Sequence, residues 1–491
     1  MKKIYNNILL ILLVILFTAD SAAQLSAPRV EAVYGGRILG MDSHNISADT
    51  SIVYISAESA NSVFYAYVTA LTSATPVFHS FSVMPGLGSD DNFGAGIQQI
   101  KVHKNSGKLF FLHQGIKSAS HASSTVNNVV STNAGCFTIV GDYLFYWNAD
   151  ILHYGVLNSS GSFTYGGKIL TGSVPVSHIL FNPSNSKIYL FGRGGSPVLY
   201  KSSDVYNSLG SGSTFSAVSL SSLPAAEWLS AGIAPDGRIF IGGHNNNDKR
   251  ISYSDDEMTW NSFAPGITGF SGYNFDFGGN SSAYHVYWSS VYSDNKGVSG
   301  SWENFGMVGG METHPNDGNV LVDPGNSFVV YMTTDQGIGA SYDRGVTIFE
   351  IDNGVEAVQV EDFDMTPDKS TAWLASKSGI RKVSDYTTTP SWTNAIFPNS
   401  DGSPYYSIAM KHGDTNTVYA GNLRVYRTSN GGATWNNLFS TENAPYNWSG
   451  IGQRIEALEV APFDNNIVFA GYYVDGADEI DGQGYMVKGG G

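Results

Sequence analysis

Aromatic side chains stand beside carboxylates at several places in this chain, and that combination suits the binding of sugars. A flat aromatic ring stacks on the apolar face of a pyranose, and carboxylates accept hydrogen bonds from its hydroxyls. We therefore expect a ligand site that takes a polysaccharide or an extracellular protein. The predicted ligand-binding residues are Glu227, Trp228, Asp276, Tyr405, Tyr406, Tyr446 and Trp448.

Paired carboxylates in the same regions suggest hydrolysis as an alternative function. Glycoside cleavage needs two carboxyl groups, about 6.5–9.5 Å apart for inversion or about 5–5.5 Å apart for retention. The candidates are Glu312, Glu361 and Asp362, each close to the start of a predicted strand. Since a sequence contains no such distance, noncatalytic recognition is the leading hypothesis and a glycoside hydrolase is the alternative.

Other kinds of site find no support in the sequence. The histidines lack the spacing of transition-metal ligands, and no Gly-rich loop leads from a strand into a helix. The acidic loop at residues 475–482 lacks the spacing of an EF-hand, which favours a solvated hairpin over a calcium site. We predict no cofactor and no metal. Cys136, the one cysteine, lies in an apolar run and is expected to be a buried small hydrophobe.

The N-terminus and the charge indicate an exported protein. Lysines precede an apolar run at residues 8–17, and small residues at 21–23 offer a signal-peptidase site before Gln24. Ten apolar residues are too few to cross a bilayer core of about 30 Å, so the mature chain is expected to have no membrane span. The formal net charge of −16 argues against nucleic acid. We expect a secreted or cell-surface monomer.

A short turn motif recurs along the chain and predicts the architecture. Its clearest copies are residues 428–435 (Thr-Ser-Asn-Gly-Gly-Ala-Thr-Trp) and 341–348 (Ser-Tyr-Asp-Arg-Gly-Val-Thr-Ile). Weaker copies lie at residues 254–260 and 293–302, and more decayed ones extend upstream to residue 158. The spacing of about 45 residues is that of one four-stranded propeller blade. With many Gly and aromatic residues and no helical periodicity, the chain is predicted to be an all-β propeller of four-stranded antiparallel blades.

These motifs resemble the Asp box (BNR repeat), shared by sialidases, family 74 xyloglucanases and sortilin-type receptors. The resemblance covers residues 150–440 and implies a structural chemistry, in which the Asp accepts backbone N–H groups and the aromatic residue packs between sheets. Asp255, Trp260, Asp343, Asn430 and Trp435 are accordingly expected to be fold residues. A sialidase is disfavoured, because no aromatic-Arg-Ile-Pro motif supplies the first arginine of its triad.

The blade count stays open at the level of sequence. Residues 24–491 would make about ten units, more than the usual four to eight of one propeller. We favour a ring of seven or eight Asp-box blades over residues 131–491, after divergent blades or a β-rich region at 24–130. One large ring, or one and a half propellers, are the alternatives, and the final glycines stand where another motif would be due.

Strand order within a blade predicts which face carries the ligand. Antiparallel strands A to D place the A–B and C–D turns on one face and the D–A and B–C loops on the other. Since Asp boxes occupy C–D turns, we expect the ligand on the opposite face.

Overall fold

The computed structural model describes residues 32–58, 62–88, 97, 99–171, 175–268, 272–308, 319–393, 395–401, 404–440, 442–444 and 453–474. From Val33 onward these residues belong to one compact unit. They contain strands, turns and two short 3-10 helices, Tyr206–Ser208 and Pro398–Ser400. Within these ranges no helix is long and apolar enough to span a membrane.

Among the described residues, thirty-nine strands form ten antiparallel sheets, which we call blades 1 to 10 in chain order. Blades 1 to 5 contain β1 (Ile38–Ser47), β2 (Thr50–Ala57), β3 (Val63–Thr69), β4 (Val77–Phe78) and β5 (Ser82–Val83); β6 (Ile100–His103), β7 (Lys108–Leu112), β8 (Ile116–Ser120) and β9 (Ser123–Val130); β10 (Cys136–Val140), β11 (Tyr143–Asn148), β12 (Ile151–Leu157) and β13 (Phe163–Leu170); β14 (His178–Asn182), β15 (Lys187–Gly192), β16 (Val198–Val205) and β17 (Phe215–Val218); β18 (Glu227–Ile233), β19 (Ile239–Asn245), β20 (Asp248–Ser254) and β21 (Asn261–Phe263).

Blades 6 to 10 contain β22 (Phe275–Gly279), β23 (Tyr284–Trp288), β24 (Val291–Ser293) and β25 (Trp302–Asn304); β26 (Val320–Asp323), β27 (Asn326–Thr333), β28 (Ile338–Ser341) and β29 (Phe349–Glu350); β30 (Val360–Met365), β31 (Ala372–Ser376), β32 (Gly379–Ser384) and β33 (Ser391–Trp392); β34 (Ser407–Lys411), β35 (Asp414–Gly421), β36 (Arg424–Thr428) and β37 (Asn436–Ser440); and β38 (Gln453–Val460) with β39 (Val468–Val474). Eight sheets are four-stranded, blade 1 splits its outermost strand into β4 and β5, and blade 10 is described as two strands. The predicted propeller of four-stranded antiparallel blades is confirmed.

Blades 1 to 7 close into a ring. Each pair of neighbours shares an apolar cluster, and the last of these joins blade 7 to blade 1 through Val329, Tyr331, Ile38, Val53 and Phe64. The closure also has hydrogen bonds: Asn319 Nδ2 donates to the Leu39 carbonyl at 3.3 Å, and Ser51 Oγ donates to Asp323 Oδ1 at 2.8 Å. Burial of these apolar faces is the main stabilising force of the ring.

Blades 8 to 10 form a second series with its own packing. One apolar cluster joins blade 8 to blade 9, and another joins blade 9 to blade 10. Residues 32–130 contain the first two blades of the ring, and the change from one series to the other falls between blades 7 and 8. The motif repeats with one period through both series, so its spacing does not reveal which blades close on one another.

The C–D turns contain the hydrogen bonds expected of the motif residues. Asp343 accepts the Thr347 amide at 2.8 Å, and Asn430 accepts the Thr434 amide at 2.9 Å. The turns need the left-handed backbone region, with φ of +93° at Gly345 and +96° at Gly432. Where the chain reverses, backbone N–H groups lose their partners on the neighbouring strand. A side-chain carbonyl or carboxylate oxygen inside the turn accepts hydrogen bonds from these N–H groups instead.

The copy at residues 254–260 differs from its prediction in one residue. Asp256, not Asp255, accepts the amides of Met258 and Thr259, at 2.9 and 2.7 Å. Asp255 instead pairs with Arg238, at 2.6 Å between Oδ1 and Nε. The turn here is one residue shorter than the copy at 341–348. In both copies the acceptor is the second residue after the first serine, so counting back from Trp260 gives the wrong residue.

Trp260 and Trp435 pack between neighbouring sheets. Trp260 is 8% exposed and donates its indole N–H to the Ser219 carbonyl at 2.9 Å. Trp435 is also 8% exposed and meets Trp373 edge to face, with ring centroids 6.1 Å apart. Cys136, 2% exposed, lies in the cluster between blades 3 and 4, and burial raises the pKa of its thiol to about 12.

Candidate functional site

Carboxylates on the innermost strands hold neighbouring blades together. Asp276 Oδ2 accepts the Val322 amide at 2.6 Å, and Asp42 Oδ2 accepts the Val102 amide at 2.6 Å. In the second series, Asp362 and Asp364 accept the amides of Ile408 and Met410, at 2.9 and 2.7 Å. The innermost strand is the edge of its sheet, so some of its N–H groups have no partner strand. A carboxylate from the neighbouring blade accepts hydrogen bonds from those N–H groups.

This role accounts for two of the predicted site residues. Asp362 also accepts the amide of Phe363 at 2.9 Å, so its two oxygens stabilise the backbone of two blades. Burial raises the pKa of Asp362, whereas the two backbone amides lower it. Asp276 is the corresponding residue of the ring, and burial raises its pKa to about 6 against the effect of its amide donors.

Two predicted ligand-facing aromatics are core residues. Trp228 is 1% exposed, packs between blades 4 and 5, and donates its indole N–H to the Pro224 carbonyl at 3.3 Å. Tyr405 is fully buried in the cluster between blades 8 and 9, with its hydroxyl donating to the Asp401 carbonyl at 3.0 Å. The prediction for these two was wrong, because an aromatic beside a loop also serves as the filler between sheets.

The remaining predicted residues fall into three groups. Glu227 is exposed at the start of β18 and borders a cavity of about 500 Å³ with His244 and Asn245. Glu312, Tyr446, Trp448 and the acidic loop at 475–482 lie outside the described residues. Glu361 and Tyr406 are brought together on one surface, which is described below.

A channel runs through the ring and is lined by the innermost strands of all seven blades. Its volume is about 890 Å³. Asp42, Lys101 and Asp276 lie close enough in it that Lys101 lowers and Asp42 raises the pKa of Asp276, both less than burial does. At the loop end, His178 meets the Tyr273 carbonyl at 2.6 Å and Arg193 lies 5.4 Å from the Tyr273 ring. The channel is therefore narrow enough for residues of different blades to contact one another across it.

A chain of charged residues crosses from the ring to blade 8 on the D–A and B–C face. Arg37 Nη1 pairs with Glu58 Oε1 and Arg37 Nε with Asp335 Oδ1, each at 3.2 Å. Ser378 Oγ donates to the Asp335 carbonyl at 2.7 Å, which joins the B–C turn of blade 8 to that of blade 7. Lys377, in the same turn of blade 8, pairs with Glu361 at 3.8 Å.

The chain continues onto blades 9 and 10. Glu361 raises the pKa of Tyr406, although burial is the larger cause of that shift. The Arg454 guanidinium lies 5.1 Å from the Tyr406 ring and 4.6 Å from the Tyr473 ring, and Glu456 holds it at 2.7 Å. Tyr473 is 40% exposed. We call this whole surface the polar belt; its members are Arg37, Glu58, Asp335, Lys377, Glu361, Tyr406, Arg454, Glu456 and Tyr473.

The belt contains residues that the sequence analysis missed. Glu58 and Asp335 follow the second strand of blades 1 and 7; Glu58 meets Arg37 within blade 1, and only the closure of the ring brings Asp335 to Arg37. The available signal was topological, since every B–C connection lies on the predicted ligand face. Short B–C turns such as the one at Asp335 were passed over in favour of longer loops.

Comparisons with known proteins agree with this architecture. No protein-family model matches the chain, and no curated protein matches it by sequence. Among solved structures, a GH74 enzyme of Niastella koreensis is similar with a TM-score of 0.56 and 17% identity, over 91% of this chain and 72% of the enzyme's. An ancestral GH74 enzyme is similar with a TM-score of 0.56 and 13% identity, over 91% and 68%. The chain has a β-propeller fold. At these identities the likeness concerns the fold, and the chemistry of the propeller has to be argued from its own side chains.

Proposed function

We propose that this protein is a secreted propeller that recognises a polysaccharide through the polar belt. The observation that carries the proposal is the cluster at blades 9 and 10, where Arg454 lies between the Tyr406 and Tyr473 rings beside two carboxylates. Packing and ion pairing fix these groups before any ligand arrives, which lowers the entropic cost of binding. The Asp-box interpretation of the C–D turns belongs to the same proposal, since it assigns the opposite face to structure.

Recognition is favoured over cleavage by the use of the candidate carboxylates. Asp362 accepts two amides, and protonating or transferring a proton at that carboxyl would disrupt the contact between blades 8 and 9. Glu361 is held by Gln359 Nε2 at 2.7 Å and by Lys377. Both carboxylates are thus held in place by hydrogen bonds or ion pairs before any ligand binds.

Hydrolysis is the second candidate, and one observation favours it. Glu58 on the ring and Glu361 on blade 8 are carboxylates on opposite sides of the junction between the two series, within a fold shared with GH74 enzymes. Release of reducing sugar from xyloglucan by the protein, lost in Glu58→Gln and in Glu361→Gln, would replace recognition by catalysis as the function.

The test of recognition is a glycan array on the protein from residue 24 onward, followed by titration of any glycan that binds. Tyr473→Ala should weaken binding about tenfold or more, since truncating an exposed aromatic contact typically costs about 2 kcal/mol. Tyr165→Ala is the matched control, because Tyr165 is 51% exposed on β13 of the ring, away from the belt. Equal affinity of the Tyr473 variant and the wild type would exclude this surface.

A further inference from the structure

The junction between blades 7 and 8 differs from the other junctions. Within the part of the chain that the structure describes, nine apolar clusters join neighbouring blades, and none of them contains residues of both blade 7 and blade 8. Charged side chains occupy this place instead: Glu350 and Asp352 at the end of blade 7, and Arg381 on β32 of blade 8. We call this junction the seam.

Asp352 and Arg381 are buried in the seam and both lie against Gly35, where a Cβ would be 3.0 Å from Arg381 Nη2 and 3.1 Å from Asp352 Oδ2, whereas the Glu350 side chain is partly exposed. Asp352 is 4% exposed and Arg381 is 3% exposed. Asp352 Oδ1 accepts the Ile338 amide at 2.6 Å, and Arg381 Nη2 donates to the Tyr34 carbonyl at 3.0 Å. A Cβ on Gly337 would lie 2.1 Å from Asp352 Oδ2, so the backbone fits closely around the carboxylate and leaves no space for solvent on that side.

The N-terminal segment, residues 33–36, lies in the seam as well. The Gly35 amide donates to the Val355 carbonyl at 2.9 Å, and the Gly36 amide donates to the Gln336 carbonyl at 2.7 Å. Through the Tyr34 carbonyl the segment also contacts Arg381 of blade 8. It therefore touches both sides of the seam.

The charges of the seam do not balance when both carboxyls are ionised. Within the described residues, Asp352 Oδ2 and Glu350 Oε2 are buried without a hydrogen-bond partner, and the Arg381 guanidinium acts on both carboxyls, so full ionisation would leave a negative charge without a counterion, which is costly away from water. Burial raises the pKa of Asp352 well above its usual range, and the charge of Glu350 raises it further. The other charged groups on the elements packed here are Arg37, which pairs with Asp335 and Glu58, Lys377, which pairs with Glu361, and Glu356, which stands opposite Gly35 in a β-bridge.

We propose that the seam is a proton-dependent latch, in which a proton on Asp352 keeps residues 33–36 and blade 8 docked on blade 7. Loss of that proton places a second negative charge beside one arginine and loosens the docking. Because a carboxyl whose pKa is raised in the docked form stabilises that form at low pH, docking is lost as the pH rises through the raised value. Since Glu58 and Glu361 of the belt lie on opposite sides of the seam, the latch also controls their spacing.

The test is hydrogen exchange of the full protein between pH 5 and pH 10, corrected for the intrinsic pH dependence of exchange. Protection of the Gly35 and Gly36 amides should fall by up to about tenfold for each pH unit as the pH rises towards the raised pKa of Asp352 and should level off above it, whereas protection of β11 in the ring should stay constant. Glu350→Gln removes one of the two negative charges, so its seam amides should remain protected throughout.

Two results would overturn the latch. One is a wild-type protein whose seam amides show no larger change than those of β11. The other is a Glu350→Gln protein that loses protection with the same pH dependence as the wild type. Asp352→Asn, which retains an acceptor for the Ile338 amide, gives an independent second variant, and thermal unfolding at pH 7 confirms that each variant is folded before exchange is measured. Polysaccharide binding at pH 7 is measured separately, so failure of the latch and failure of recognition are distinguishable.

Discussion

Blade 1 and blade 8 each begin a series, yet their innermost strands lie in different surroundings. In β1, Ile38 and Met41 are 0% and 4% exposed, because blades 2 and 7 pack on both sides. In β30, Val360 is 43% exposed and Phe363 is 65% exposed, and the apolar cluster described for blade 8 is the one it shares with blade 9. The burial of an innermost strand therefore depends on the blades that pack against it more than on its own sequence.

The largest expected effect tests whether the two regions unfold separately. Trp288→Ala in the ring and Trp373→Ala in blade 8 each remove a fully buried ring, at a cost of about 3–5 kcal/mol. If the polar seam couples the two regions only weakly, Trp288→Ala lowers the temperature of one calorimetric transition and Trp373→Ala lowers that of another. A single transition that moves equally in both variants would show that the regions unfold as one unit.

Ring closure is expected to have the next largest effect. Asp323 accepts hydrogen bonds from Ser51 Oγ and the Tyr331 hydroxyl, both at 2.8 Å, and from the Gly325 amide at 2.7 Å. Asp323→Ala leaves these donors without an acceptor and should destabilise the ring by about 1–3 kcal/mol. The measurement is chemical denaturation, with Ser51→Ala as a milder control that removes one of the three bonds. Equal effects of the two changes would mean that the bonds from Tyr331 and Gly325 contribute nothing beyond the Ser51 bond.

A smaller, pH-dependent effect is expected at Asp276. Because burial raises the pKa of Asp276 to about 6 in the folded ring, its contribution to stability is complete below the ordinary Asp value and is lost as the pH rises through about 6. Asp276→Asn keeps an acceptor for the Val322 amide and should flatten the melting temperature between pH 4 and pH 7. An unchanged pH profile would place the titrating group elsewhere.

The smallest expected effect distinguishes a carboxylate that accepts amides in a turn from one that forms a surface ion pair. Asp343→Ala removes the acceptor of the Thr347 amide and should cost about 1 kcal/mol. Asp255→Ala removes a surface ion pair, a type whose contribution is about 0–1 kcal/mol. Melting temperatures of the two variants give the order, and a larger loss for Asp255 would contradict the assignment of Asp256 as the turn acceptor.

Local sequence was sufficient to predict the blade and its turns. The period of about 45 residues, the paired polar turns and the Asn, Asp and Gly of each motif predict four short strands, because turn chemistry depends on adjacent residues. Trp260 and Trp435 are buried, and Asp343 and Asn430 accept amides within their turns. Asp255 was misassigned because a one-residue deletion shifts the count within a turn.

Tertiary structure decided which blades close into a ring and which polar residues meet. Arg37 and Asp335 are 298 positions apart in the chain, yet they pair because blade 7 packs on blade 1. Packing of blade 4 on blade 5 buried Trp228, and packing of blade 8 on blade 9 buried Tyr405. Each blade's pattern of apolar residues specifies that its faces need partners, but the identity of the partner depends on the accumulated twist and packing of all the blades between them.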